Sequence, residues 1–207
     1  MKTDCILFKG LSGDKLPEAL AFFNAVEREF KKGEQVKKTT DPMTFFGMVI
    51  EGTVQIYSDD IDGNHMIMAT VEPGETFGES LCYLKKNAPI YIEATRDTRL
   101  LMMNCDNVHA DGNNPLSKRF VAMLAERTLS MNNRIQTLSK LSIRDKILTF
   151  FSQTVKAEKG KPFEIMMNRE DMATYLGVNR SALSRELSNL KKEGILEYYH
   201  SVFKILK

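Results

Sequence analysis

Cysteine and histidine are scarce in this chain, and long apolar runs are missing. Cys5, Cys82 and Cys105 are odd in number, far apart in sequence and form no CxxC pair. That argues against a disulfide framework or a structural zinc site and leaves reduced thiols, in the core or at the surface. The four clustered cysteines that an iron–sulfur cluster needs are absent. His65, His109 and His200 are equally scattered, so a cupin-like enzyme with grouped His and Glu metal ligands does not fit. No nucleophile–base constellation stands out, and no enzymatic activity is expected. No stretch approaches the roughly 20 consecutive apolar residues of a membrane span. The N-terminal MKTDCILFKGLSGDKL has acidic and glycine residues where a signal peptide needs an apolar segment. A cytoplasmic protein with no membrane partner is expected.

What is present fits one large or two modest domains: 207 residues, 43% of them hydrophobic and 27% charged. The net charge of +2 is unevenly spread, since residues from 141 onward carry 12 Lys and Arg against 8 Asp and Glu. A mildly basic C-terminal third fits a polyanionic partner without requiring one. Residues 14–30 read as a short helix entering a sheet. From 31 to about 105, runs rich in β-branched and aromatic residues alternate with turns at Gly33, Gly52, Asp62-Gly63 and Pro73-Gly74. That spacing predicts an antiparallel barrel or sandwich, with Asp62-Gly63 as a hairpin tip. After DGNNP the texture turns helical, and residues 116–141 hold neither proline nor glycine. Val121, Leu124, Met131, Ile135 and Leu138 follow 3–4 spacing, interrupted by Thr128. A helix of that length, about 39 Å, carries either a dimeric coiled-coil seam or a face packed on its own sheet.

The segment NREDMATYLGVNRSALSRELSNLKKEGIL, from residue 168, reads as two short helices around Gly177. Asn168 and Asn179 are expected N-caps, and Glu170 and Asp171 sit where the helix dipole favours negative charge. Leu183, Leu187 and Leu190 share one stripe of the second helix. Ser181, Ser184, Arg185, Ser188 and Lys192 lie opposite, and Arg180 projects from the first turn. Such a face suits the DNA major groove: hydroxyls allow close approach, the Arg fork matches guanine O6 and N7, and Lys meets phosphates. Asn179 and Arg169 complete the candidate DNA-binding set. The hairpin after Gly194 is the expected wing.

These motifs, in this order, resemble the Crp/Fnr family of bacterial transcription regulators over residues 18–207. The glycine pattern with Phe77-Gly78-Glu79 looks like the family's β-roll, the long helix like its dimerisation helix, and NREDMATYLGVNRSALSREL like its winged helix-turn-helix. The implied fold is α+β: a jelly-roll-like antiparallel β-roll over residues 1–112, a dimerisation helix over 113–141 and a DNA-binding domain over 142–207. By resemblance, Arg180 and Arg185 match guanine-reading positions and Ser181 and Ser184 neighbouring ones. Ser181 departs from the Glu common in the family, which implies a changed base pair in the half-site.

The expected effector pocket comprises Phe77, Gly78, Glu79, Ser80, Ala88, Pro89, Thr128, Met131 and Asn132. In cyclic-AMP-binding members an Arg-Ser or Arg-Thr pair clamps the phosphate, and here Ala88-Pro89 stands in its place. Neither residue can bond a phosphate, and a buried anion without its cation is costly, so control by cyclic AMP is not expected. Lys85 and Lys86 are expected in a solvated turn. Haem ligation by His65, His109, a Met or Cys82 ranks below simple exposure of the histidines. Met43, Met48, Met66, Met68, Met102, Met103 and Met131 either line an apolar pocket or, the favoured reading, fill the core. The resemblance thus implies a homodimeric regulator of a two-fold symmetric DNA operator, moved by an unidentified small-molecule effector, with a pivot near residues 141–143. If it is an activator, RNA polymerase is a partner. A protein-interaction module without specific DNA binding is the alternative.

Overall fold

The computed structural model describes residues 5–59, 65–154, 157–165 and 167–206, so the predicted Asp62-Gly63 hairpin tip lies outside the described residues. The chain divides into two compact units, Met1–Leu124 and Ala125–Lys207. In the first, helix α1 (Lys15–Phe22) precedes strands β1 (Val26–Phe30), β2 (Gln35–Lys37), β3 (Phe46–Glu51), β4 (Val54–Asp59), β5 (His65–Val71) and β6 (Thr76–Phe77). A short helix α2 (Glu79–Leu84), strands β7 (Tyr91–Ala94) and β8 (Thr98–Met103) and helix α3 (Asp106–Ala110) follow. The strands form two antiparallel four-stranded sheets, ordered β1-β8-β3-β6 and β2-β7-β4-β5.

The near-continuous apolar run of β8 has a physical cause, because both faces of its sheet are covered. Leu100 joins Val49, Val54, Phe77 and Ile92 between the sheets. Leu101 and Met103 point the other way, against Phe8, Ala19, Phe23 and Phe120. Side chains alternate sides along a strand, so a strand covered on both faces loses its polar positions. The methionine set divides accordingly. Met43, Met48 and Met103 are buried, whereas Met66, Met68 and Met131 are each at least 58% exposed, so these residues do not line one pocket.

Helix α4 (Pro115–Leu138) runs across the boundary between the units. It ends three residues earlier than the 116–141 expectation. Ser139 donates its hydroxyl to the Gln136 carbonyl in the last turn, and Ser142 already caps the next helix by accepting from the Asp145 amide. Short hydroxyl side chains compete in this way with continued helix. The second unit then contains α5 (Ile143–Thr149), continued by a wider turn at Phe150–Thr154, β9 (Pro162–Glu164), α6 (Arg169–Leu176), α7 (Arg180–Lys192), β10 (Leu196–Tyr199) and β11 (Val202–Ile205). Its strands form one antiparallel sheet, β10-β11-β9. Among the described residues, no helix is long and apolar enough to cross a membrane.

Two turn glycines separate backbone conformation from crowding. Gly52 and Gly74 have φ of +90° and +91°, but only Gly52 is hemmed in: a Cβ there would lie 2.5 Å from the Asp97 carbonyl oxygen and 2.6 Å from the Thr98 Cα. Gly74 has nothing within 4 Å of that position. Gly74→Ala should cost only the left-handed penalty, about 1–2 kcal/mol. Gly52→Ala must also displace backbone and should cost clearly more. Urea unfolding of the two variants checks the order, and equal losses would contradict this reading of the crowding.

Candidate nucleic-acid interface

Helix α6 is built from its cap upward. The Asn168 side chain accepts from the amides of Glu170 and Asp171, and Asp171 returns a bond to the Asn168 amide, completing a capping box. Gly177 ends the helix at φ 61°, in the left-handed region where glycine is unstrained. Asn179 then caps α7 by accepting from the Ser181 amide.

One stripe of α7 settles its orientation. Leu183, Leu187 and Leu190 are at most 1% exposed and join Ile147, Phe150, Phe151, Met172, Leu176, Leu196 and Phe203 in the unit's core. Burying three leucines stabilises the packing by several kcal/mol in sum, at about 1.5–3 kcal/mol each. The opposite side is therefore turned to water: Arg180, Ser181, Ser184, Arg185 and Lys192 are all exposed, and Ser188 is half-buried.

These side chains differ in how committed they are within the chain. Arg185 makes no hydrogen bond or ion pair among the described residues. Arg180 has a loose ion pair with Glu170 at 3.5 Å and a side chain 65% exposed. Asn179 is occupied as a cap, and its Oδ1 also accepts from the Ser181 hydroxyl at 2.7 Å. Ser188 donates back to the Ser184 carbonyl at 2.9 Å. Arg169, grouped with the DNA-contacting residues from sequence, has a structural task. Its guanidinium lies over the rings of Phe203 and Tyr198, at 4.7 and 5.3 Å from their centroids. It also donates to the His200 carbonyl at 2.9 Å, and burial lowers its pKa. It ties α6 to the β10–β11 hairpin.

Two contributors were missed from sequence. Arg144 on α5 donates Nε to Glu186 at 2.7 Å and both terminal nitrogens to Glu193, at 2.9 and 2.6 Å. That fork holds the outer end of α7 against α5. Lys191 donates to the Tyr198 carbonyl at 3.3 Å and lies 5.0 Å from that ring's centroid, joining α7 to the wing. An arginine two residues into a helix carries no sequence signal of distant Glu partners, which is why Arg144 went unread.

The expected effector residues sit in two places. In the first unit, Phe77 is buried, and a Cβ on Gly78 would collide with Met43. Glu79 is 3% exposed and accepts from the Thr76 hydroxyl. Ser80 and Pro89 are exposed and Ala88 is half-buried. Next to Ala88 stands a residue the sequence did not flag: Lys37, 1% exposed. Its ammonium donates to the carbonyls of Lys38, Ala88 and Ile90 at 2.8, 3.3 and 3.3 Å, and burial lowers its pKa. Lys85 and Lys86 are exposed, as a solvated turn requires. His109 is engaged, its ring stacked on Tyr83 at 4.7 Å and its Nε2 2.9 Å from the Tyr83 carbonyl. Thr128, Met131 and Asn132 lie on the part of α4 in the second unit, exposed.

Comparison with known proteins assigns both units. The cyclic nucleotide-binding domain family matches residues 27–110, and the Crp-like helix-turn-helix domain family matches residues 135–207. The cyclic AMP receptor protein of Thermus thermophilus is 25% identical over 192 residues, covering 92% of this chain and 87% of that protein. The nitrogen fixation regulation protein FixK of Bradyrhizobium diazoefficiens is 26% identical over 183 residues, covering 86% and 76%. The catabolite activator protein of Thermus thermophilus shares the fold, with a TM-score of 0.54 at 23% identity over 97% of this chain and 93% of that one. Roll and helix-turn-helix occur here in the order, and over nearly the length, found in those regulators, and the chain belongs to the Crp/Fnr family of bacterial transcription regulators.

Proposed function

We propose that this Crp/Fnr-type regulator binds a two-fold symmetric DNA operator as a homodimer, reads each half-site with α7, and answers to an effector other than cyclic AMP. The observation that carries the reading is the exposed side of α7. Arg185 and Arg180 stand there with short hydroxyls between them, held outward by the buried leucine stripe. The Arg185 guanidinium, which has no partner among the described residues, keeps its fork for guanine O6 and N7. Ser184 and Ser181 leave the backbone close to the base edges, and Lys192 is placed for phosphate. Because Asn179 and Ser188 are engaged within the helix, their part is to fix its start and surface rather than to read bases. Arg169 positions the wing.

The dimer reading rests on α4. Val121, Met131 and Ile135 are 51%, 60% and 60% exposed, and Leu138 39%. They recur at the 3–4 spacing of a helical seam, and pairing two such helices would remove the stripe from water. Two copies of α7 set about 34 Å apart meet successive major grooves on one face of B-DNA.

The effector reading rests on the roll. Its relative from Thermus thermophilus is a cyclic AMP receptor protein, but the family resemblance puts no Arg of this chain at the place of the phosphate clamp. By that resemblance Ala88 and Pro89 stand there instead, and a buried cation beside Ala88, Lys37, is already satisfied by three carbonyls. Glu79 is likewise engaged with Thr76. Control by another effector, cytoplasmic action and, for an activator, contact with RNA polymerase complete the proposal.

Operator selection from random duplexes, followed by gel-shift titration, tests the DNA reading. Arg185→Ala should weaken binding to the selected site about 5- to 150-fold, the equivalent of about 1–3 kcal/mol, with unchanged circular dichroism. Unaltered affinity would remove α7 as the reading element. Ile135→Glu should convert a dimer to a monomer in sedimentation experiments, and a dimer that survives it would place the interface elsewhere. Millimolar cyclic AMP should leave the melting temperature where it was. A ligand at about 100 times its Kd stabilises by about 2.7 kcal/mol, so a rise of several degrees would refute the argument from Ala88-Pro89.

A further inference from the structure

Two cysteines that are far apart in sequence meet in the fold. Cys82 lies on α2 and Cys105 immediately before α3, 4% and 2% exposed. Both form part of the wall of one cavity of about 430 Å³, together with Met43, Thr44, Lys85 and Asn87. The two side chains share one apolar cluster as well as this cavity wall, and the ionisation of each thiol depends on the other. A thiol is a weak donor and a weak acceptor, so this contact adds little to stability. It does hold two sulfurs together at the wall of a space large enough for a small molecule.

The pair is asymmetric. The hydrogen bond from Cys105, helped by the charge of Lys85, holds the Cys82 thiol below its ordinary pKa against the opposing effect of burial. Sharing its proton with Cys82, together with burial, pushes Cys105 far above the usual thiol range. The sulfur that ionises more readily is the nucleophile, and the other stands ready to resolve it.

We propose that Cys82 and Cys105 form a reactive dithiol, which a small hydroperoxide entering the cavity oxidises to an intramolecular disulfide. The Cys82 thiolate attacks one peroxide oxygen and the O–O bond breaks. The departing hydroxide takes up the proton that Cys82 released, leaving water and a Cys82 sulfenic acid. Cys105 then loses its proton as its sulfur attacks that of Cys82. The S–O bond breaks, and the second hydroxide leaves as water with that proton. In sum, two thiols give up two electrons and two protons, and one hydrogen peroxide becomes two waters.

The location gives the bond a consequence. It would tie α2, which follows the Phe77-Gly78-Glu79 turn, to the segment that enters α3 and then α4. Cys82 and Cys105 share their apolar cluster with Phe120 and Met123 of α4, so the tie would be felt at the base of the long helix. Cys5 belongs to the same cluster and serves as an internal comparison.

The test uses the full-length protein and hydrogen peroxide, and needs no DNA binding, so it stands or falls apart from the operator reading. After exposure, the chain is alkylated in denaturant and its peptides are weighed. The expected product is a Cys82–Cys105 linked peptide, lighter by two hydrogens and reversed by dithiothreitol, with Cys5 alkylated. The pair should react about tenfold faster than in the urea-unfolded chain. In Cys105→Ser a sulfenic acid trap should label Cys82, and in Cys82→Ser it should leave Cys105 unlabelled. Three alkylated cysteines, a disulfide that includes Cys5 or a second chain, or no gain in rate on folding would each overturn the proposal.

Discussion

The burial of Leu183, Leu187 and Leu190 is the contact on which the C-terminal unit's chemistry depends. A helix with one apolar stripe has one way to remove it from water, and in this unit that way runs against α5, α6 and the hairpin strands. The opposite side, with Arg180, Ser181, Ser184, Arg185 and Lys192, is thereby turned outward. Arg144, with its fork on Glu186 and Glu193, and Lys191, on the Tyr198 carbonyl, add lateral bonds that fix the helix along its length. Direction comes from the leucines and register from the charges. The base reading proposed for α7 needs both, because a guanidinium misplaced by an ångström no longer meets two base atoms at once.

The N-terminal unit shows a different economy. Its sheet through β3 and β8 is apolar on both faces, one toward the second sheet and one toward helices. Two charged groups buried in this unit are held by partners: Glu79 has Thr76, Lys37 has three carbonyls.

How much of this could be read from residues alone follows from the range of the interactions. The two asparagine caps, the terminating glycine and the leucine stripe are local, set by neighbours within four positions, and all are legible in the string NREDMATYLGVNRSALSRELSNL. The antiparallel strands were legible from glycine spacing. Contacts across long separations were not. Nothing in the sequence sets Arg144 beside Glu193, brings Lys37 under Ala88, or joins Cys82 to Cys105. Arg169 carries no sequence signal of the two aromatic rings and the carbonyl that hold it in the fold. The long helix was drawn three residues too far because its apolar spacing continues to Leu141 while the backbone has already turned at Ser139.

Lys37 has a bearing on how the two units meet their surroundings. The carbonyls of Lys38, Ala88 and Ile90 accept from an ammonium covalently attached to the same chain, so their satisfaction does not depend on a dissolved ion. The guanidiniums of α7 are in the opposite position, surrounded by mobile counterions that compete with whatever they hold. A change in ionic strength therefore acts on the guanidiniums of α7 and leaves the Lys37 contacts as they are.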